Sequence, residues 1–160
     1  MTALTRFNEK LSKIVDVACA VLIFSLFVLV TFQVLNRFVL RVPAIWTEEF
    51  ARYLFVWTSL FGTVKGFRSK SHLGIDMLTM NLKGKTSSSV ALVAYVLVLV
   101  FFVLLAVTGL QYAIRSIPNK NDTGAISMFW VYLGVPVASI LCISFVLQDL
   151  ASKAKEVFGR

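Results

Sequence analysis

This chain of 160 residues holds one histidine, two cysteines and three prolines, and each scarcity removes a class of chemistry. Cys19 and Cys142 both lie within apolar runs and form no CxxC pair, so thiol exchange and zinc binding have no support. A small apolar packing role is left to them. A quinone-linked thiol oxidase, which needs outward-facing cysteine pairs, is excluded on the same ground. With one histidine, no nucleophile elbow, no glycine-rich phosphate loop and no carboxylate pair beside an activated partner, the chain is not read as an enzyme. Internal repeats are missing, and with them the inverted halves and broken helices of a complete carrier. Charge is also missing from the central half of every expected span, which is awkward for a protein that would move ions or protons alone.

What is present is apolar. The composition is 58% hydrophobic with 14 Phe, and the mean hydropathy is +0.83. These values indicate a polytopic membrane protein. The formal charge of +8 sits in short clusters beside apolar runs, a pattern explained by anionic lipid headgroups and topology and not by nucleic acid. Ala18-Cys19-Ala20 has the form of a signal-peptidase site, but charges up to Asp16 leave no apolar stretch before it. The first hydrophobic segment is therefore expected to be retained.

The expected fold is all-α: four transmembrane helices in an antiparallel bundle with short interfacial helices, over one membrane domain of residues 1–160. The spans are placed at about 14–35, 47–67, 88–114 and 125–148. Asn36, Arg37, Arg41 and Pro43 end the first. An interfacial helix or tight turn-helix is expected at about 71–82, where Leu73, Met77 and Met80 recur at helical spacing. Gly134 and Pro136 are expected to bend the fourth span.

The second span is the one hydrophobic segment that carries charge, with Glu48, Glu49 and Arg52 in its first two turns. On a helical wheel Glu48, Arg52, Phe55, Ser59, Gly62 and Gly66 share one stripe, and Trp46, Phe50, Tyr53, Trp57, Leu60 and Val64 lie opposite. In lipid, small residues let helices approach closely and polar groups require protein or water, so the small-polar stripe is expected to face protein. Glu48 and Glu49 lie four and three residues before Arg52, close enough to pair with it locally, and a contact to a partner chain is the other reading. Gly62 to Gly66 matches GxxxG, a close-packing signal or merely a flexible helix end.

With the N-terminus cytoplasmic, the inner side collects Arg6, Lys10, Lys13, Lys65, Arg68, Lys70, Lys83, Lys85, Lys153, Lys155 and Arg160, against Arg37, Arg41, Arg115 and Lys120 outside. Both termini are therefore expected to be cytoplasmic. His72 and Asp76 are four apart near the inner surface. Two ligands are too few for a closed metal site, and a hydrogen bond fixing the cytoplasmic turn is the simpler role.

The order Asn36-Arg37, Trp46-Thr47-Glu48-Glu49, Ala51-Arg52, Trp57, Gly62, Arg68 and His72-Leu73-Gly74-Ile75-Asp76 resembles the small integral-membrane subunit, DctQ-like, of tripartite ATP-independent periplasmic (TRAP) transporters. The motif core covers residues 36–76; the third and fourth spans resemble the family in hydropathy alone. The resemblance implies a multi-pass protein of the bacterial inner membrane, bound to a large elevator-type membrane subunit that carries the sodium and substrate sites. A periplasmic substrate-binding protein would deliver an organic acid, of the C4-dicarboxylate or sialic acid class, for sodium symport. On this chain no cofactor is implied, and the role is that of a scaffold. Trp46, Glu48, Glu49, Arg52, Trp57, Ser59, Gly62 and Gly66 are then candidates for bundle organisation or the large-subunit interface, Arg37 and Arg41 for docking the binding protein, and Arg68, His72 and Asp76 for the cytoplasmic turn. The rival reading is a self-sufficient small oligomeric exporter or channel. It would need a polar pore lining, and residues 17–32 offer only Ser25 and Thr31.

Overall fold

In the computed structural model, residues 3–40, 45–79, 85–121, 124 and 126–158 are described, with side chains over 6–39, 46–69, 90–121, 124, 126–152 and 154. An apolar run in lipid must satisfy its backbone internally. With neither glycine nor proline between residues 3 and 40, α1 (Ala3–Leu35) runs unbroken and ends in a π-helical turn, Asn36–Leu40. Next come α2 (Ile45–Thr79) and α3 (Lys85–Arg115), a short α4 (Phe129–Tyr132) and α5 (Gly134–Phe158). Among the described residues the structure is helical, apart from an isolated antiparallel bridge between Lys120 and Ser127. Among the described residues three helices are long and apolar enough to cross a membrane: Arg6–Val39, Val90–Arg115 and Phe129–Ser152. α2 is not one of them, because its uncharged stretch, 53–64, extends only about 18 Å.

Contacts fix how the helices run. Asp16 meets Lys65 at 2.9 Å and Phe32 meets Trp46 at 6.3 Å, so α1 and α2 are antiparallel along their length. α3 packs on α5, with Gly109 against Val135. α2 lies beside α5 in the same direction, Trp57 near Gly134 and the Arg68 guanidinium 5.3 Å over the Phe145 ring. The core gathers Val15 and Cys19, Val64, Ala91, Tyr95 and Phe102, and Ala138, Cys142, Phe145 and Val146 from the four long helices. Towards the chain ends it is closed by Asn8, 1% exposed, whose Nδ2 donates to the Ser144 carbonyl at 2.9 Å and Gln148 Oε1 at 2.6 Å. At the other end the bundle opens. No residue of 20–39 is buried, and a groove of about 580 Å³ lies between α1 and α2, lined by Phe24, Val28, Phe32, Trp46, Phe50 and Leu54 among others.

Two local expectations change. The segment 71–79 continues α2 without a break and is not a separate turn-helix, since no proline or loop signal interrupts 45–79. The last helical path begins at Phe129 and not at 125. Ahead of it, backbone hydrogen bonds join Asn119 to Met128 and Asn121 to Ile126. Leu133 separates α4 from α5 but keeps a helical backbone, its amide donating to the Phe129 carbonyl at 2.9 Å and its carbonyl accepting from the Val137 amide at 3.2 Å, so the path continues over Phe129–Ser152. Pro136, just beyond, lacks the N–H that would bond the Tyr132 carbonyl.

The α3–α5 seam depends on the absence of a side chain at Gly109, where a Cβ would lie 3.0 Å from Val135 Cγ1 and 3.3 Å from Pro136 Cδ. Gly109→Val is expected to destabilise the bundle by about 1–3 kcal/mol through overpacking. Thermal unfolding in detergent reads this, and an unshifted transition would show that the seam has room.

Candidate functional site

The N-terminal end of α2 holds a polar junction inside an otherwise apolar protein. Glu49 is 3% exposed and Asn121 4%. Asn121 Nδ2 donates to Glu49 Oε2 at 2.8 Å, and the Tyr53 hydroxyl, one turn along α2, donates to Glu49 Oε1 at 3.4 Å. Tyr53 also reaches Met128 Sδ at 3.9 Å. Asn121 is itself held: its Oδ1 accepts from the Ile126 amide at 3.0 Å, and its own amide donates to the Ile126 carbonyl at 2.9 Å. Gly124, at φ +72°, makes the reversal inside this turn. Glu49 therefore ties α2 to the segment that launches α4 and α5. Thr47 is buried beside it in sequence.

The predicted residues divide between the two sides of α2. Beyond Phe50, which is exposed, the bulky stripe turns inward: Val64 is 1% exposed, Trp57 packs on Phe61 at 6.0 Å, and a Cβ on Gly134 would stand 3.5 Å from the Trp57 ring. Trp46 is half-exposed, in ring contact with Phe32 and Phe50. The small-polar stripe turns outward: Glu48, Arg52, Phe55, Ser59 and Gly62 are exposed and Gly66 half-covered. Gly62 and Gly66 have open space where a Cβ would be, so among the described residues no helix packs on the GxxxG surface. The close approaches are at Gly109 and Gly134 instead. The local pairing read for Arg52 is not made: among the described residues the ion pair is Asp16–Lys65, and Glu49 turns inward while Glu48 and Arg52 face out.

Arg68 is half-buried over Phe145. His72 and Asp76 lie on the continuous α2 backbone with their side chains outside the described set. Arg37 is exposed on the π-helical turn, and Arg41 lies outside the described residues. Among the described residues no three His, Cys, Asp or Glu side chains gather as metal ligands. Asn121 and Met128 escaped the reading of site residues from the sequence, and Tyr53 entered it only as a member of the bulky stripe. An Asn next to Asp122 and before Gly124 signals a turn but says nothing of a carboxylate 72 positions earlier.

Residues 26–156 match the family of tripartite ATP-independent periplasmic transporters, DctQ component. The chain belongs to this DctQ family. It is 28% identical to the sialic acid TRAP transporter small permease protein of Vibrio cholerae, over 98% of this chain and 90% of the relative. A sialic acid TRAP transporter permease protein of Haemophilus influenzae is 29% identical over 79% of this chain, which spans 21% of that longer protein. The C4-dicarboxylate small permease of Rhodobacter capsulatus is 27% identical over 63% of this chain and 46% of its own length. A DctQ chain is a multi-pass inner-membrane component of a tripartite transporter, and its family is one of transport proteins, not of enzymes.

Asn121→Ala removes a hydrogen bond from a buried carboxylate, and a loss of about 1–3 kcal/mol is expected. Exposed Glu48→Gln should stay within about 0.5 kcal/mol of the parent. Equal unfolding temperatures for the two variants would show that the junction contributes nothing.

Proposed function

We propose that this DctQ chain is the static small subunit of a TRAP transporter, enlarging and steadying a large elevator-type subunit during sodium-coupled, binding-protein-dependent uptake of an organic acid. The substrate class is sialic acid or a C4-dicarboxylate, as in the names of its relatives. The observation that carries this reading is the outward stripe of Ser59, Gly62 and Gly66: Ser59 and Gly62 are exposed, and among the described residues nothing lies where a Cβ on Gly62 or Gly66 would stand, which leaves room for close helix packing. A large membrane subunit laid on this stripe would also cover Glu48 and Arg52. Coupling sodium belongs on that subunit, with no cofactor on this chain. Family membership leaves the self-sufficient exporter or channel without support.

Four crossings fit this role better than three. Trp57 lies by Gly134 and Arg68 by Phe145, a constant offset, so α2 accompanies α5 through whatever layer α5 crosses. Asn8 touches Gln148, so the start of α1 and the late part of α5 meet at one end of the bundle, which supports an even number of passes. The excess of Lys and Arg in the sequence segments assigned to that side supports a cytoplasmic location for it. Arg37 and Arg41 then fall on the periplasmic side, where exposed cations would steer the binding protein to its dock.

Widening the stripe with Ser59→Leu and Gly62→Leu should lower copurification of the large subunit and uptake by proteoliposomes together, with Arg52→Ala acting in the same direction. Full complex yield and transport from all three would remove the interface from this face. Reversal of charge at Arg37 and Arg41 is expected to raise the binding-protein concentration needed for half-maximal uptake, while complex yield stays constant. An unmoved concentration dependence would exclude these arginines from docking.

A further inference from the structure

A second surface lies on the face of α1 turned away from that helix's own buried residues. Arg6, Lys10 and Lys13 recur at i, i+4 and i+7, so they stack on one stripe of the helix, and Val17, Val21 and Phe24 continue that stripe. All six are exposed, the three apolar residues by 64%, 57% and 68%. Asn8, Val15 and Cys19, which are buried, fall half a turn away around the same helix. Asp16 does not neutralise the row, because Lys65 of α2 holds it at 2.9 Å. Among the described residues no carboxylate pairs with Arg6, Lys10 or Lys13.

Spacing along the axis matches the layering of a membrane. At 1.5 Å per residue, Lys10 and Arg6 stand about 4 and 10 Å beyond Lys13, roughly the depth of a headgroup layer outside the hydrocarbon. In the other direction Val17 to Phe24 cover about 6 to 16 Å, the reach of the acyl chains of one leaflet. A protein seated here would take three uncompensated cations out of water, whereas an anionic phospholipid brings phosphate to the cations and hydrocarbon to the stripe below them. Lysine and arginine stems also lie along apolar surface while their charged heads stay at the interface.

We propose that this face of α1 is a binding surface for anionic phospholipid of the leaflet in which α1 begins, with headgroups on Arg6, Lys10 and Lys13 and acyl chains along Val17, Val21 and Phe24. The surface is distinct from the outward stripe of α2 and does not depend on which protein covers that stripe.

The test compares spin-labelled phosphatidylglycerol with spin-labelled phosphatidylcholine at the protein boundary in mixed vesicles, for the chain alone and for its complex with the large subunit. The parent should prefer phosphatidylglycerol, and replacing Arg6, Lys10 and Lys13 by Gln should reduce the preference about five-fold for each cation removed. The charge-retaining Lys10→Arg and Lys13→Arg variants should keep it, as should Arg115→Gln at the far end of α3. Unchanged preference in the triple Gln variant, or an equal fall with Arg115→Gln, would overturn the proposal. A spin label on Val21→Cys supplies the second readout. Collision with lipid-soluble oxygen in both preparations is expected, and shielding that arises only in the complex would assign the face to the large subunit and overturn the lipid site.

Discussion

Removing a carboxylate from water costs several kcal/mol unless donors replace the lost hydration, and Glu49 meets that requirement from a distant segment. Asn121 and Tyr53 supply hydrogen bonds to its two oxygens, and the backbone exchange between Asn121 and Ile126 shapes the turn that presents Asn121. The direction in which α4 and α5 leave that turn follows. α5 then descends beside α2 with Gly134 against Trp57 and Leu60, and α3 closes on α5 where Gly109 meets Val135. Apolar packing is abundant here but directionless, since lipid is as apolar as leucine. The Glu49 contact is directional, and it ties α2 to the turn that leads into α5.

α2 consequently has two faces with different obligations. Inward, Trp57, Leu60 and Val64 pack on the rest of the chain; outward, small and polar residues remain uncovered. The asymmetry extends to α1, whose first half joins the core at Val15 and Cys19 while residues 20–39 contribute no buried side chain. A bundle sealed at one end and spread at the other offers lateral surface to other molecules, which suits a component of a tripartite assembly.

Much of this was legible in the residues. The division of α2 into bulky and small-polar stripes follows from a helical period, and the structure turns the first inward and the second outward. The uncharged run of α3 admits no other reading in a membrane. What stayed hidden depends on contacts far apart in sequence. Glu49 and Arg52 sit within easy reach on the wheel, yet Glu49 turns to Asn121, a choice set by the fold of the turn and invisible to spacing. The continuity of α2 through 71–79 was obscured by a polar composition that suits an interface or an exposed helix end equally well.

Because Asn8 reaches both Ser144 and Gln148, 136 and 140 positions away in sequence, the early part of α1 is latched to the late part of α5. A cut in the backbone between Asn121 and Ile126 would leave that latch in place but free Asn121 from the partner that aims it at Glu49.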